Sequence, residues 1–294
     1  MNLVEIVDKL HSEQACKDYL EKVRWPDGIT CPKCGDKRIS RIKTRDIYEC
    51  NNKHQFSLKS GTIFHDSRLP LRTWFLAIHR ISESKKGVSA NQLSRELGVA
   101  YPTAWHMCHR IRESFKDVDK LTLKGIVEAD ETYVKGKGIP KGEKQKRGRG
   151  NQQHTPVLGL KERDGKVKAK AVIDTTIPTI VNYVQESIDE DTEAIYSDAW
   201  HSYRALSPLI DHKWVDHSKE YVNGIVHTNN IESFWSLLKR GLIGSYHHVS
   251  PKHLQRYLDE FCWRQNQDKD ADIFENILKS AVKNPTVRYS ELTS

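Results

Sequence analysis

The feature that most constrains this fold is a set of carboxylates inside an apolar stretch, GIVEADETYV, at residues 125–134. The apolar pattern predicts a β-strand, in which Glu128 and Asp130 point to one face while Glu131 points to the other. A buried carboxylate without a partner is costly, so such a strand indicates a metal ion or another cation nearby. The fold must bring that positive charge to this strand.

Two further carboxylates lie downstream at positions typical of a site. Asp198 follows the apolar run AIYS at the carboxyl end of a predicted strand, which is where ligands collect on open α/β sheets. Glu232 lies in the first turn of a predicted helix, and Ser236 and Lys239 follow on the same face. The plainer interpretation is that Glu232 caps its helix together with Asn229 and that Asp198 begins a turn.

The order of predicted elements indicates how these residues meet. Three strands, a helix, a strand, a short strand and a second helix follow one another between residues 125 and 242. That is the order of an RNase H-like α/β domain. On such a sheet, Asp130, Asp198 and Glu232 would converge and could hold two Mg²⁺ (or Mn²⁺) ions for phosphoryl transfer. Lys239 would then meet the phosphate backbone or the developing charge.

A second metal site is predicted near the N terminus. A Cys-Pro-Lys-Cys knuckle is followed by another cysteine and a histidine, which suits tetrahedral zinc in a ribbon. A second CxxC would need cysteine at position 53, which is Lys53, so the next residue is the expected fourth ligand. A ribbon that has lost its metal is the alternative. The predicted Zn²⁺ ligands are Cys31, Cys34, Cys50 and His54.

Residues 88–115 have the pattern of a helix-turn-helix. Ser89 and Gln92 form a capping box, Gly98 marks the turn, and Pro102 suits the start of the second helix. The alternative is a helical packing unit that contacts no DNA. The residues expected near the start or on the exposed face of the second helix, where DNA would be contacted, are Tyr101, Thr103, His106 and Arg110.

Residues 134–150 form a glycine-rich basic stretch with seven basic residues and one acid. This composition predicts a flexible loop that neutralises DNA phosphates, and a solvated loop without a partner is the alternative. The phosphate contacts are assigned to Lys144, Lys146, Arg147 and Arg149.

Composition supports an intracellular, polyanion-binding protein without excluding much else. The net charge is +8, the isoelectric point is about 9.0 and the mean hydropathy is −0.68. No stretch resembles a signal peptide or a membrane span, so a cytoplasmic protein with no membrane partner is expected. Cys16, Cys108 and Cys262 are isolated and are predicted to be buried thiols.

The predicted division of the chain follows these motifs. Residues 1–64 would form an N-terminal helix and the zinc ribbon, and residues 65–120 the helix-turn-helix region. Residues 121–267 would form the catalytic domain, which includes the basic loop, and residues 268–294 a C-terminal tail without a recognisable motif.

Five blocks in this order give the chain a family resemblance. They occupy residues 12–35, 56–78, 128–137, 196–203 and 227–266, and they include EADETYVKGK, YSDAWHSY and HTNNIESFWSLLKR. In this combination the chain resembles the DDE-type transposases of bacterial insertion sequences, in the IS1595 group. The match runs from about residue 12 to residue 267.

The resemblance implies DNA transposition, in which double-stranded DNA is cut at terminal inverted repeats and the freed 3′-OH attacks target DNA. It implies that Asp130, Asp198 and Glu232 are the catalytic acids and that Lys239 is the basic residue after them. Asn230 is a rival for the third position, because some relatives carry asparagine there. It also implies an oligomer that pairs two DNA ends, acting at the nucleoid. His227, His247 and His248 belong to a matched block without an assigned role.

Two other functions remain open at this point. A transposase-derived regulator would bind DNA without cutting it, although the retention of three carboxylates and Lys239 favours activity. An RNase H-like nuclease acting on RNA hybrids fits the fold, but it leaves the ribbon and the helix-turn-helix without a purpose.

Overall fold

The computed structural model of the chain describes residues 1–135, 154–198, 201–215 and 226–294. It divides into two units, residues 1–115 with 268–294 and residues 116–267. The four basic-loop residues Lys144, Lys146, Arg147 and Arg149 lie outside the described residues. Among the helices that are described, none is long and apolar enough to cross a membrane.

The helices and strands have the following bounds. The helices are α1 (Leu3–Lys9), α2 (Glu13–Arg24), α3 (Leu71–Ser82), α4 (Ala90–Leu97), α5 (Tyr101–Glu113), α6 (Ile177–Gln185), α7 (Asn229–Gly241), α8 (Pro251–Gln265), α9 (Ile273–Lys283) and α10 (Tyr289–Thr293). The strands are β1 (Ile39–Ile42), β2 (Ile47–Cys50), β3 (Gln55–Phe56), β4 (Leu123–Lys135), β5 (His154–Glu162), β6 (Val167–Ala171), β7 (Ile188–Asp198) and β8 (His212–Val215).

The N-terminal region forms two helices rather than the single N-terminal helix predicted from the sequence. Helix α1 ends at Leu10, whose N–H still donates to the Ile6 carbonyl. Ser12 then starts α2, because its hydroxyl accepts the N–H of Ala15 at 3.2 Å. A serine cap of this kind begins a new helix, and it is the signal that the single-helix interpretation overlooked.

The C-terminal segment is part of the first unit and not a loose extension. Helix α9 packs on α2 and α3, where the Phe274 ring lies 6.0 Å from Phe75 and 6.5 Å from Tyr19. Phe274, Ile277 and Leu278 are all fully buried. Their i, i+3, i+4 spacing predicts this helix face, although it carries no chemical motif. The predicted functional division of the chain at residues 64, 120 and 267 stays a prediction.

The helix pair α4–α5 forms as predicted, but its capping box is only half made, because the Gln92 side chain donates to Glu96 at 2.8 Å instead of returning to Ser89. The Ser89 hydroxyl accepts the N–H of Gln92 at 3.1 Å, which caps α4. Gly98 ends α4 in the left-handed conformation, with φ of 64°, which is a common helix-terminating geometry for glycine. The N-cap position of α5 is Ala100, and Pro102 lies in the first turn.

The second unit is built on a mixed five-stranded sheet in the order β6-β5-β4-β7-β8. Strand β4 is central; it is antiparallel to β5 and parallel to β7, and β8 continues the parallel side. The predicted succession of strands and helices is the observed one, and the α/β class is confirmed.

Side chains on the two faces of this sheet have separate roles. On one face, the core contains Val127, Leu158 and Leu160 with Tyr183 of α6 and Tyr203. The other face meets α7 and α8. Helix α7 buries one apolar face, which consists of Ile231, Phe234, Trp235 and Leu238.

Glu128 joins the central strand to the start of α7. Its carboxylate is fully buried and accepts the backbone N–H groups of Asn230 at 2.9 Å and Ile231 at 3.1 Å. The Asn230 side-chain amide donates a third hydrogen bond at 2.9 Å. The first N–H groups of a helix have no partners within the helix and favour negative charge, so this carboxylate caps α7 from another element.

The predicted cap of α7 is therefore wrong. Asn229 is the first helical residue instead of the N-cap, which is Thr228. Glu232 does not complete a capping box with Asn229; its carboxylate accepts the Thr228 hydroxyl at 3.0 Å. Local sequence suggested a cap within the segment, whereas the stronger acceptor, Glu128, comes from a strand about a hundred residues away.

Replacing Glu128 with glutamine tests the hydrogen bonds that link β4 to the start of α7. We expect Glu128→Gln to lower the free energy of unfolding of the second unit by about 2–3 kcal/mol, because charged hydrogen bonds to buried donors are lost. Denaturant unfolding measures the change, and hydrogen exchange should rise at the first turns of α7. Glu190→Gln is the matched control, since Glu190 is an exposed acid on β7. Equal stability of the two variants would contradict the capping role.

Candidate active site and metal centre

An open acidic cleft of about 310 Å³ lies between β4, the end of β7 and α7. The four residues that sequence assigns to catalysis, which come from three elements, all lie on its walls. Its lining residues are Asp130, Glu131, Thr132, Asp198, Glu232, Trp235, Ser236 and Lys239. The predicted convergence of the three carboxylates and the lysine on one cleft is therefore observed.

Asp130 is held at the floor of the cleft by a tryptophan. The Trp235 indole N–H donates to Asp130 Oδ2 at 3.0 Å. Burial, followed by the negative charges of Glu131 and Glu232, raises the pKa of Asp130 to about 7. This electrostatic environment favours a bound proton or cation, because the neighbouring acids repel the ionised carboxylate.

Gly159 makes room for this contact. It pairs directly with Asp130 across β4 and β5. A Cβ atom on Gly159 would lie 2.3 Å from the Trp235 ring and 3.0 Å from the Ile231 side chain. Only a residue without a side chain lets the indole reach the strand at this point, and sequence inspection did not single it out.

Glu131 points to the opposite face from Asp130, as the alternation predicts, yet it also lines the cleft. It is hydrogen-bonded to Tyr203, which is fully buried. Burial, with the charges of Glu131 and Asp130, raises the pKa of the Tyr203 hydroxyl well above its usual range. A neutral tyrosine is thus kept under the acidic residues, a feature that sequence inspection missed.

Asn230 faces a different partner from Glu232. Its side-chain amide and its backbone N–H both bond to Glu128, beneath the start of α7. Nearby, Arg163 Nη2 and His227 Nδ1 each lie 3.4 Å from the Glu128 carboxylate. Asn230 and His227 therefore belong to the capping cluster, and neither lines the acidic cleft among the described residues.

Lys239 also borders a second cavity, of about 450 Å³, near the end of β4. His247 and His248, two of the three histidines without a predicted role, lie in the wall of this cavity. Lys239 is solvent-exposed and forms the boundary between the two spaces.

The four predicted zinc ligands form a compact cluster. The ligand atoms of Cys31, Cys34, Cys50 and His54 all lie within 4.8 Å of one another. Cys34 and Cys50 Sγ are 3.8 Å apart, as are Cys31 Sγ and His54 Nδ1. Tetrahedral zinc with bonds of about 2.3 Å to sulfur places neighbouring sulfurs about 3.8 Å apart, so the geometry fits Zn²⁺.

The turn between Cys50 and His54 explains the departure from a second CxxC. Lys53 has φ of 61°, and its N–H donates to the Cys50 carbonyl at 2.9 Å. This turn places His54 where its ring reaches the cluster. The Asn52 amide donates to Cys34 Sγ at 3.5 Å and, as the largest influence, lowers the pKa of that thiol to about 6. A lowered thiol pKa suits a metal ligand, which must be a thiolate.

The acidic cleft does not share this compactness. Among the described residues, only the cysteine–histidine cluster brings three or more ligand atoms within 4.8 Å of one another. The acidic side chains of the cleft line a wider space. The three isolated cysteines are buried free thiols, as predicted: Cys16, Cys108 and Cys262. Burial raises the pKa of Cys16 to about 11, and this thiol lies outside the ligand cluster.

The predicted DNA contacts of α5 occupy two environments. Tyr101 is 48% exposed at the start of the helix. Arg110 is only 5% exposed, so the expectation that it lies on the exposed face is wrong. His106 is half-buried, and its Nε2 donates to the Val287 carbonyl at 3.0 Å. The reason is that this face of α5 packs on the residue 65–74 segment and the C-terminal segment. Whether Tyr101, Thr103, His106 or Arg110 contacts DNA stays a prediction.

Comparison with known proteins identifies two regions. Residues 122–266 match the ISXO2-like transposase domain, and residues 11–52 match the transposase zinc-ribbon domain. The first region contains the acidic cleft. The second contains three of the four predicted zinc ligands, and His54 lies just beyond its end.

A curated relative matches nearly the whole chain. It is an uncharacterised protein in transposable element ISH50 of Halobacterium salinarum, 30% identical over 92% of this chain and 95% of its own length. Among solved structures, the Mos1 strand transfer complex matches at 12% identity and a TM-score of 0.29, covering 71% of this chain and 75% of that one. A pre-cleavage Mos1 transpososome gives 13% and 0.26, covering 71% and 79%. TM-scores this low carry no argument.

The full-length relative and the two domain matches agree on one assignment. The chain belongs to the IS1595 family of transposases, which combines a zinc ribbon with a DDE transposase domain.

Proposed function

We propose that this chain is an active transposase that cuts double-stranded DNA at the terminal repeats of its element and joins the freed end to target DNA. The observation that carries the proposal is that Asp130, Asp198 and Glu232 line one cleft together with Lys239. A family member that no longer cut DNA would have no need to keep these groups together.

We further assign the second unit to the RNase H-like folds. The support is the sheet order β6-β5-β4-β7-β8, with an antiparallel side, a parallel side and the acidic strand at the centre. Asp198 ends β7 next to that strand. Ligands of open α/β sheets collect at such carboxyl ends.

The donor set of the cleft fits Mg²⁺ or Mn²⁺. Oxygen ligands from carboxylates suit these ions, and several carboxylates line this one cleft. Asp130, Asp198 and Glu232 would hold the ions, which in such sites activate the attacking oxygen and stabilise the leaving oxygen. The Trp235 indole N–H donates to Asp130 Oδ2 and orients this carboxylate in the cleft.

The protein's own groups prepare the cleft for a phosphodiester. Glu128 fixes the start of α7 and thereby the position of Glu232. Trp235 fixes the rotamer of Asp130. Lys239, at the rim of the cleft, supplies positive charge to the DNA backbone and to the charge that develops in the transition state.

The DNA would be bound by the remaining modules. The zinc ribbon, the α4–α5 pair and the basic residues 134–150 would hold the element's ends. A net charge of +8 favours this polyanion. Pairing of two ends calls for a homo-oligomer on DNA, and the reaction would take place at the nucleoid in the cytoplasm. These assignments rest on the membership of this chain in the transposase family.

Two rival functions remain distinguishable. A DNA-binding regulator would tolerate loss of the carboxylates, whereas the chain retains them in one cleft. A nuclease that acts on RNA hybrids would have no use for the transposase zinc ribbon matched at residues 11–52. Cleavage assays separate the three functions, because the regulator would cut no DNA and the nuclease would cut RNA hybrids.

Strand cleavage measures the role of the three acids. With Mg²⁺ or Mn²⁺ and DNA that carries the terminal repeats, we expect Asp130→Asn, Asp198→Asn and Glu232→Gln to lower cleavage by about 1,000-fold or more while DNA is still bound. Asn230→Ala should retain most of the activity. Glu190→Gln is the control acid. Normal cleavage by Glu232→Gln would refute its role, and binding without cleavage by the wild type would favour the regulator.

Metal analysis tests the ribbon. We expect the purified protein to hold about one zinc ion per chain, and Cys50→Ser and His54→Ala to hold much less. Cys16→Ser is the matched control, because Cys16 is a buried thiol outside the cluster. Full zinc content in His54→Ala would show that the fourth ligand lies elsewhere, and zinc-free wild-type protein would contradict the site.

A further inference from the structure

Arg110 is a buried cation in the first unit that forms no salt bridge among the described residues; the acid that acts on it electrostatically is Asp66, whose side chain is exposed. It is 5% exposed, and its guanidinium donates from Nη2 to the His65 carbonyl and lies 5.1 Å from the centre of the Trp74 ring. Its Nε has no hydrogen-bond partner in the described part of the chain. Burying this charge without a close ion pair is costly, and the exposed Asp66 offsets little of that cost, so the site favours a bound anion.

A cavity of about 380 Å³ opens beside this side chain. It runs along one face of α5, formed by Thr103, His106 and Arg110, and Arg68 and Tyr289 lie across from that face. We call this space the Arg110 pocket. Arg68 is exposed, so a ligand reaches the pocket from solvent past a second guanidinium.

The start of α5 adds further donors to the same pocket. Its N-cap residue is Ala100, which has no side-chain acceptor for the first N–H groups. Pro102 and Thr103, in this first turn, line the pocket. Pro102 has no N–H, so the donors that this turn offers to the pocket are the N–H and hydroxyl of Thr103, together with the partial positive charge of the helix start, which favours anions.

A neighbouring cavity of about 420 Å³ extends the positive region. It shares Asp66 and Ser67 with the Arg110 pocket and adds Arg45 and Lys59. Among the described residues that line the two cavities, Asp66 is the only acid. Two adjoining cavities, each with two cations, suit a ligand with repeated negative charges better than a single carboxylate.

We propose that the Arg110 pocket binds a backbone phosphate of double-stranded DNA, with Arg68 and the first turn of α5 as additional donors. The proposal rests on the proposed function, since it presumes that the first unit engages DNA. It replaces the expectation that Arg110 contacts DNA from an exposed helix face with a recessed contact through a pocket. Such a contact positions the protein on the duplex without reading sequence.

Salt-dependent binding of the full-length protein tests the pocket. Affinity for terminal-repeat DNA would be measured at several salt concentrations without added Mg²⁺ or Mn²⁺. Arg68→Ala and Arg110→Met should each lower the slope of log affinity against log salt by about 0.9, the amount expected for one lost phosphate contact. The control is Lys22→Ala, which removes an exposed charge on α2 that lines neither cavity. Thermal unfolding checks that each variant is folded.

DNA with single neutral methylphosphonates provides the second measurement. At one backbone position the substitution should weaken wild-type binding but cost Arg68→Ala little, because the contact is already lost. A wild-type salt slope in folded Arg68→Ala would overturn the proposal, and so would equal methylphosphonate costs in both proteins at every position. Inorganic phosphate that competes at millimolar concentration while methylphosphonates have no effect would assign the pocket to a free anion instead.

The proposed catalytic function can be tested separately from the Arg110 pocket. If Arg68→Ala binds DNA as the wild type does while Asp130→Asn still abolishes cleavage, only the pocket is wrong. If wild-type protein does not bind the ends at all, both proposals fall.

Discussion

The hydrogen bonds between Glu128 and the start of α7 hold the candidate active site together. A fully buried carboxylate from the central strand accepts two backbone N–H groups of the helix. These bonds fix where α7 begins, and Glu232, in its first turn, follows from that placement. One turn further, Trp235 reaches back to Asp130 on the same strand. Strand and helix are thus joined at two points, and the acidic cleft lies beside this joint.

The acidic residues on this face of the sheet have different roles: Glu128 is structural, whereas Asp130 and Glu232 line the cleft. Glu128 is satisfied by protein donors, so it has no need of a metal ion. Asp130, two residues on, has one indole donor and acidic neighbours, and its pKa is raised to about 7. Glu128 and Asp130 therefore differ in role because α7 supplies a different set of hydrogen-bond donors to each. The same reasoning separates Asn230, which serves Glu128, from Glu232, which lines the cleft.

Sequence predicts the elements and the chemistry better than it predicts their long-range contacts. The succession of strands and helices and the cluster of four zinc ligands follow from residue spacing, since both depend on local pattern. The convergence of Asp130, Asp198, Glu232 and Lys239 on one cleft is expected only because that succession matches an RNase H-like domain. The cap of α7 does not, because its acceptor, Glu128, lies about a hundred residues earlier. Gly159 acquires meaning only when Trp235 is placed against it. Arg110 reads as a surface cation, and only tertiary packing encloses it.

The measurement that tests the central claim most directly is DNA strand cleavage by Gly159→Ala compared with Gly244→Ala. The added methyl group lies 2.3 Å from the Trp235 ring at position 159 and meets no atom within 4 Å at position 244. If the joint between β4 and α7 assembles the active site, Gly159→Ala loses cleavage by about 10–100-fold, because displaced catalytic groups cost rate steeply. Its DNA affinity and zinc content stay normal, and Gly244→Ala cuts as the wild type does. Wild-type cleavage by folded Gly159→Ala would contradict the account.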